Sequence, residues 1–310
     1  MLTPNAIRRR DFLRLIAIAS AGVGARPANT LGAASPPSPV SPPIVVFSKI
    51  YQELKLGFED AAITTAEAGL QGIDPPVRPG GEVVPERATE DLPRYAEALR
   101  KRGLQLPLLT TAITSVSSAH AEELLRTAKT LGVKYYRLGF IERQAAPSLE
   151  AQLKDVKAQL KDLAGLNRQL GIGAIFQNHS PSGHAYLGGD LTELRELVTD
   201  FEPEQIGVAF DIGHALVVHG AGWRPHFEAL KSHVKIAYIK DVDAQGQWVH
   251  FGQGQIGRTD YFRQLKQLGY HAPFCLHIEY DWSDHGKSRD RATLVAALKE
   301  SAAVIRAWAA

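Results

Sequence analysis

From Ile44 onward, short apolar runs of five or six residues alternate with longer stretches in which apolar positions recur every three or four residues. The first pattern is that of buried parallel strands and the second that of amphipathic helices. Strands are expected at Ile44 to Ser48, Leu70 to Asp74, Leu106 to Thr110, Tyr135 to Phe140, Gly173 to Gln177, Gly207 to Asp211, Ile236 to Lys240 and Phe274 to Glu279. Helices are expected over Glu59 to Ala68, Asp91 to Arg102, Ala119 to Leu131, Leu149 to Leu170, Leu191 to Phe201, Pro225 to His233, Asp260 to Leu268 and Asp290 to Ala309. Gly69, Gly103, Gly132, Gly171 and Gly269 each follow one of these helices, where a left-handed C-terminal cap favours glycine. Eight strand-helix units predict an α/β fold, a single-domain (β/α)₈ TIM barrel. An open doubly wound sheet would carry a Gly-rich dinucleotide loop after its first strand, and none follows Ile44 to Ser48.

A TIM barrel places its chemistry at the C-terminal ends of the strands and in the loops after them. Those positions hold Lys49; Asp74 and Arg78; Thr110 and Thr111; Arg137; Gln177, Asn178 and His179; Asp211 and His214; Lys240 and Asp241; His277 and Glu279. Seven of the eight ends thus contribute an ionisable or coordinating group. Asp211 and His214, three residues apart, can both face the mouth, one for a divalent ion and one for a substrate oxygen. Trp248, Phe251, Tyr280 and Trp282 lie in the loops after strands seven and eight, where aromatic faces can stack on sugar rings.

The remaining composition narrows the partners. Net charge is +2, with basic and acidic residues interspersed, so no broad positive field recruits nucleic acid. The lone cysteine, Cys275, sits in an apolar run and reads as a small buried hydrophobe; one thiol makes no disulfide within the chain. At the N-terminus, Arg9-Arg10-Asp11-Phe12-Leu13-Arg14 precedes a modestly apolar, Gly-interrupted stretch too short to span a bilayer. We read residues 1–33 as a twin-arginine signal, cleaved after Ala25 or Ala33. Residues 34–43 are a Pro-rich linker, and 44–310 the barrel. The expected location is periplasmic or otherwise exported, through the twin-arginine machinery.

Phe210-Asp211-Ile212-Gly213-His214, Tyr238-Ile239-Lys240-Asp241 and His277-Ile278-Glu279-Tyr280 occur in an order and spacing that resemble the xylose-isomerase-like sugar phosphate isomerase/epimerase superfamily. Phe47-Ser48-Lys49, Gly72-Ile73-Asp74, Val77-Arg78-Pro79-Gly80-Gly81 and Gln177-Asn178-His179-Ser180 resemble an exported bacterial subset of it. The resemblance implies a divalent metal, Mn, Mg, Co or Zn, on a strand-five Glu, a strand-six Asp, a strand-seven His and a strand-eight Glu. Asp211 and Glu279 match. Gln177 stands at the strand-five position and Tyr238 at the strand-seven position, so the expected metal set is Asp211, Glu279, Gln177 and His179, with His214 or His277 as further candidates.

The implied reaction removes a proton next to a carbonyl of a sugar or keto-glycoside, with Glu279 as base and Lys240 and His214 as its catalytic companions. Substrate contacts are expected from Lys49, Asp74, Arg78, Arg137, Asn178, His179, His277 and Trp248. Because Gln177 accepts no proton, one-base isomerisation or β-elimination is favoured over two-base epimerisation. A non-catalytic carbohydrate-binding barrel is the alternative of a different class.

Overall fold

The computed structural model describes residues 41–181, 183–283 and 288–310. The expected signal sequence and the linker as far as residue 40 lie outside the described residues.

Nine parallel strands form one sheet in the order β2-β1-β9-β8-β7-β6-β5-β4-β3. They are β1 Ile44–Phe47, β2 Gly72–Asp74, β3 Pro76–Val77, β4 Leu108–Thr111, β5 Tyr135–Arg137, β6 Gly173–Gln177, β7 Ile206–Asp211, β8 Val234–Ile239 and β9 Phe274–Leu276. β2 pairs with β1 and β3 pairs with β4, with only Pro75 between β2 and β3. Proline has no N–H to give a ladder, yet the Pro75 carbonyl still accepts from Thr110 N at 3.0 Å and Ile73 N still donates to Gln105 O at 3.2 Å. β2 and β3 are therefore two halves of one stave, and the nine strands close an eight-stave barrel. Gly72 makes that closure possible, because a Cβ there would run into the Gln105 backbone.

Around the sheet lie helices α1 Phe58–Glu67, α2 Ala88–Arg100, α3 Ala121–Thr130, α4 Leu149–Leu170, α5 Leu191–Val198, α6 Ile212–His219, α7 Trp223–Leu230, α8 Tyr261–Gln267 and α9 Arg291–Ala309. α4 shows how sequence fixes one of them. Ser148 accepts the Ala151 N–H at its start, Leu153, Val156, Leu160 and Leu163 recur on the buried face, and Gly171 ends it at φ +69°. Gly69, Gly103, Gly132 and Gly269 likewise have positive φ. Leu160 is fully buried, and truncating such a side chain to alanine costs about 2–5 kcal/mol.

Two expectations are corrected. The strands expected to reach Phe140 and Glu279 stop at Arg137 and Leu276, so Phe140, His277 and Glu279 stand on loops. α6 was not expected: Ile212 to His219 is apolar nearly throughout and shows no helical period, but Asp211 accepts the His214 N–H at 3.1 Å and caps a helix directly on β7.

The core has two parts. Val45, Phe47, Leu108, Ile175, Ala209, Ile236, Tyr238 and Cys275 fill the barrel interior, and a larger cluster packs the helices on its outside. Cys275 is buried, as expected.

Candidate active site

Alternate residues of a strand share a face. Each inward apolar residue is therefore followed, two positions on, by another inward residue nearer the C-terminal mouth. Leu108 leads to Thr110, Tyr135 to Arg137, Ile175 to Gln177, Ala209 to Asp211, Tyr238 to Lys240, and Cys275 to His277 and then Glu279. The interior thus passes from an apolar middle to a polar mouth within one residue step per stave. Arg137, Gln177, Lys240, His277 and Glu279 line a mouth cavity of about 90 Å³, together with Lys49, Arg78, His179 and the rings of Phe47 and Phe140. An adjoining cavity of about 290 Å³ shares Phe47, Lys49 and Glu279 with it. A larger cavity of about 800 Å³ lies at the opposite end, against Pro107, Lys134, Ile236 and Pro273, away from the polar strand ends.

Lys240 is the hub of the mouth. Its Nζ lies 3.1 Å from Asp211 Oδ2, 3.0 Å from His214 Nε2 and 4.0 Å from Glu279 Oε1, and 5.2 Å from the Trp248 ring centroid. An ammonium has three donors and no acceptor. Two are taken by Asp211 and His214, which leaves the third for the cavity that Lys240 lines. The same logic fixes His214: Nε2 accepts from Lys240, so Nδ1 carries the proton and donates to Ser180 Oγ at 2.8 Å. Burial, and then the charge of Lys240, holds the His214 imidazole well below its usual pKa, so it is neutral. With both nitrogens engaged, His214 orients Lys240, a correction to its expected catalytic role.

Asp211 is fully buried. Burial pushes its carboxyl up, while Lys240 and the hydrogen bonds from His214 N and Gln177 pull it down. Gln177 donates to Asp211 Oδ2 at 2.9 Å and accepts from Arg137 at 3.0 Å. Because Arg137 only donates and the carboxylate accepts, the amide orientation is determined by its neighbours.

Glu279 is 28% exposed at the side chain, and none of the described residues hydrogen-bonds to its carboxylate; Lys240 Nζ and His277 Nδ1 each stand 4.0 Å away. His277 forms the floor between the rings of Phe47 and Tyr238, with centroids at 4.7 and 4.4 Å, and both its nitrogens are buried without a partner. Burial pushes its pKa well down. His179 donates Nδ1–H to the Ser180 carbonyl at 2.7 Å, stacks on His214 at 3.8 Å and is pushed down to about 4, first by burial and then by Lys240.

Of the expected substrate contacts, Lys49, Arg78, Arg137, His179 and His277 line the mouth cavity. Two expected substrate contacts are corrected. Asp74 lies beneath the floor, fully buried, where it accepts from Tyr238 OH at 2.9 Å and Thr110 Oγ1 at 3.0 Å; burial raises its pKa to about 6. Asn178 clamps the Asp211 backbone, donating to its carbonyl and accepting from its N–H, both at 2.8 Å. Trp248 stands over Lys240 and edge-on to His214 at 5.0 Å. Phe251, Tyr280 and Trp282 are buried, packing on Trp308, His250 and Arg289 respectively, so of these four rings only Trp248 stands beside Lys240 without being buried.

The donor set does not suit a divalent ion among Asp211, Glu279, Gln177 and His179. Gln177 turns its N–H₂, not its oxygen, toward Asp211, and the Lys240 ammonium stands between Asp211 and Glu279. His179 keeps a free Nε2, but Asp211 Oδ2 already receives two donors. Tyr238 points its hydroxyl down to Asp74. Among the described residues, the potential ligand atoms of Asp74, Cys275 and His277 do come within 4.8 Å of one another. There burial keeps the thiol protonated, and the Arg137 guanidinium repels a cation.

Two participants carried no signal in the strand pattern. Ser180 fixes the His214 tautomer. Glu82, in the turn after Arg78-Pro79-Gly80-Gly81, accepts from Ser48 Oγ at 2.6 Å and Tyr95 OH at 3.3 Å, and burial raises its pKa to about 8. The two adjacent glycines mark that turn, but nothing in them announces a buried acid.

A family model described as xylose isomerase-like TIM barrel matches residues 63–308. The chain belongs to this family. No curated protein matches it. Among solved structures, this xylose isomerase-like barrel is similar to 3-keto-D-glucoside 4-epimerase YcjR from E. coli, at 14% identity and TM-score 0.62 over 81% of this chain and 94% of that one. D-psicose 3-epimerase from Clostridium cellulolyticum H10 aligns at 9% identity and TM-score 0.65, over 86% and 99% of the two chains. The probable 3-DHS dehydratase AsbF from Bacillus anthracis aligns at 14% identity and TM-score 0.60, over 83% and 97%. At these identities the likeness establishes the shared barrel.

Proposed function

We propose that this xylose isomerase-like barrel is a sugar isomerase/epimerase-type enzyme that removes a proton next to a carbonyl, with Glu279 as base and Lys240 facing the developing oxyanion. One observation carries the reading. In the mouth, a carboxylate without a hydrogen-bond partner among the described residues stands 4.0 Å from an ammonium whose other donors are fixed by Asp211 and His214. Removing a proton from carbon leaves an enediolate, and the barrier is set by the charge that develops on its oxygen. A carbonyl oxygen seated against Lys240 Nζ meets a buried positive charge as that charge grows. The carbon-bound proton passes to a Glu279 oxygen. Asp211 and His214 keep the ammonium in place, and His277 closes the floor.

The opposite wall of the mouth supports a one-base reaction. Gln177 has both ends of its amide engaged and offers no proton acceptor. Glu279 then either returns the proton to the neighbouring carbon while the hydroxyl proton moves from one enediol oxygen to the other, giving isomerisation, or keeps it while a β-substituent departs with its bonding electrons. The probable 3-DHS dehydratase and the 3-keto-D-glucoside 4-epimerase among the similar structures favour keeping both outcomes under one mechanism. In this reading Lys240 supplies the cationic charge for which the family resemblance implied a metal, and the metal dependence expected from sequence is not carried forward to Asp211 and Glu279.

The test is solvent deuterium incorporation by NMR over a panel of ketoses and keto-glycosides. Wild-type protein should exchange the proton next to the carbonyl of its substrate. Glu279→Gln should lose on the order of 10²- to 10⁴-fold in that rate, the usual contribution of a placed general base. Undiminished exchange in Glu279→Gln would remove Glu279 from the role.

A further inference from the structure

The mouth collects more basic than acidic side chains among the described residues. Lys49, Arg78 and Arg137 line the cavity beside Lys240, and among the described residues none of the first three has an ion-pair partner. Arg137 is only 3% exposed, its side-chain hydrogen bond goes to the neutral amide of Gln177 at 3.0 Å, and its guanidinium lies 4.5 Å from the Phe140 ring centroid. Among the described residues Glu279 is the one carboxylate lining this cavity, and Glu53 and Asp281 line the adjoining one. His277, also 3% exposed, has neither ring nitrogen partnered and lines the same cavity. A neutral ligand over three cations would replace their water only with neutral oxygen acceptors, whereas an anion would replace it with stronger, charge-assisted hydrogen bonds.

We infer that the ligand of this mouth is a sugar bearing an anionic group, a carboxylate or a phosphate monoester, gripped by Arg78, Arg137 and Lys49. That this ligand is the substrate rests on the function proposed above; the charge argument does not. The two groups share the recognising chemistry: a guanidinium fork meets two oxygens of either one, and Lys49 adds a point charge. Arg78, Arg137 and Lys49 line the same small cavity as Lys240 and Glu279, so an anion held there keeps the rest of the sugar within reach of the base. The adjoining cavity of about 290 Å³, which shares Lys49, gives room for the rest of the ligand.

Isothermal titration of the full chain with glucuronate, glucose 6-phosphate and glucose tests this. At least one anion should bind about 10-fold or more tightly than glucose, and the gap should narrow between about 50 and 500 mM salt as screening grows. The better anion identifies the group. The double variant Lys49→Gln/Arg78→Gln, at positions that are not fully buried, should weaken the anion on the order of 10²-fold and close most of its gap over glucose. If neither anion binds more tightly than glucose, or if the double variant keeps the full gap, the inference is overturned. Glu279→Gln titrated alongside separates the two readings: it should keep the anion preference whether or not Glu279 is the base, while deuterium exchange alone reports on the base.

Discussion

Lys240→Met is the most informative single change, because it should damage stability and turnover through different partners. The variant keeps the length of the side chain and removes the ammonium that lies 3.1 Å from Asp211 and 3.0 Å from His214 Nε2. Asp211 is fully buried, and its remaining donors are Gln177 and His214 N. Removing one partner of a buried ion pair costs about 3–5 kcal/mol. The two surviving hydrogen bonds favour the lower end, about 3 kcal/mol, which in a domain of this size lowers Tm by roughly 6–10 °C. Turnover should fall on the order of 10²- to 10³-fold, the cost of deleting one donor to a developing oxyanion. Calorimetry and deuterium exchange on Lys240→Met and on Asp211→Asn/Lys240→Met separate the two effects. The double variant leaves no stranded charge, so it should recover most of the stability and none of the turnover. The reasoning fails if Lys240→Met turns over within about threefold of wild type, or if the double variant is no more stable than the single one.

Three further outcomes are expected. Wild-type protein loaded with Mn²⁺ and dialysed should retain far less than one equivalent by elemental analysis, and EDTA should leave turnover intact; stoichiometric retention would displace Lys240 from its assigned place. Glu82 has a folded-state pKa of about 8 against an ordinary 4.5, so the folded protein holds that proton more tightly than the unfolded chain and loses stability as pH rises between those values. Glu82→Gln should therefore be more stable than wild type by about 5 kcal/mol at pH 9 in urea titrations, with the difference shrinking toward pH 5; a pH-independent difference would contradict the assignment. Export, proposed from Arg9-Arg10-Asp11-Phe12-Leu13-Arg14 alone, predicts that lysines at both arginines retain full-length chain in the cytoplasm, and that mature protein begins between about residues 26 and 36 by intact mass.

The barrel was legible because its two signals are local. Strand-length apolar runs and C-terminal cap glycines are written residue by residue, and Leu149–Leu170 has the same ends in sequence and structure. α6 escaped because Ile212 to His219 is too apolar to show a period, and only the Asp211 cap, a contact made in space, starts it. The mouth was legible as a set of strand-end residues but not as roles. Parity along a strand says that Asp74 and Lys240 both face inward; it does not say that Asp74 stops one layer below the cavity. Nor can spacing show that Lys240 reaches Asp211, which makes a metal-ligand motif read as an ion pair. Asn178 looked like a substrate contact for the same reason, since its two hydrogen bonds go to the backbone of a residue 33 positions away.

Asp241, next to Lys240, accepts backbone N–H groups from Val242, Gly252, Gly254 and Ile256 with its two carboxylate oxygens. The loop from Val242 to Ile256 is thus tied at its two ends to one side chain, while the span that carries Trp248 over the mouth lies between the ties. Such a loop is a cassette. Its middle can be lengthened, shortened or exchanged, in the laboratory or by natural divergence, without untying the ends or moving the ammonium beneath, and a new rim above unchanged chemistry is a short route from one ligand to another.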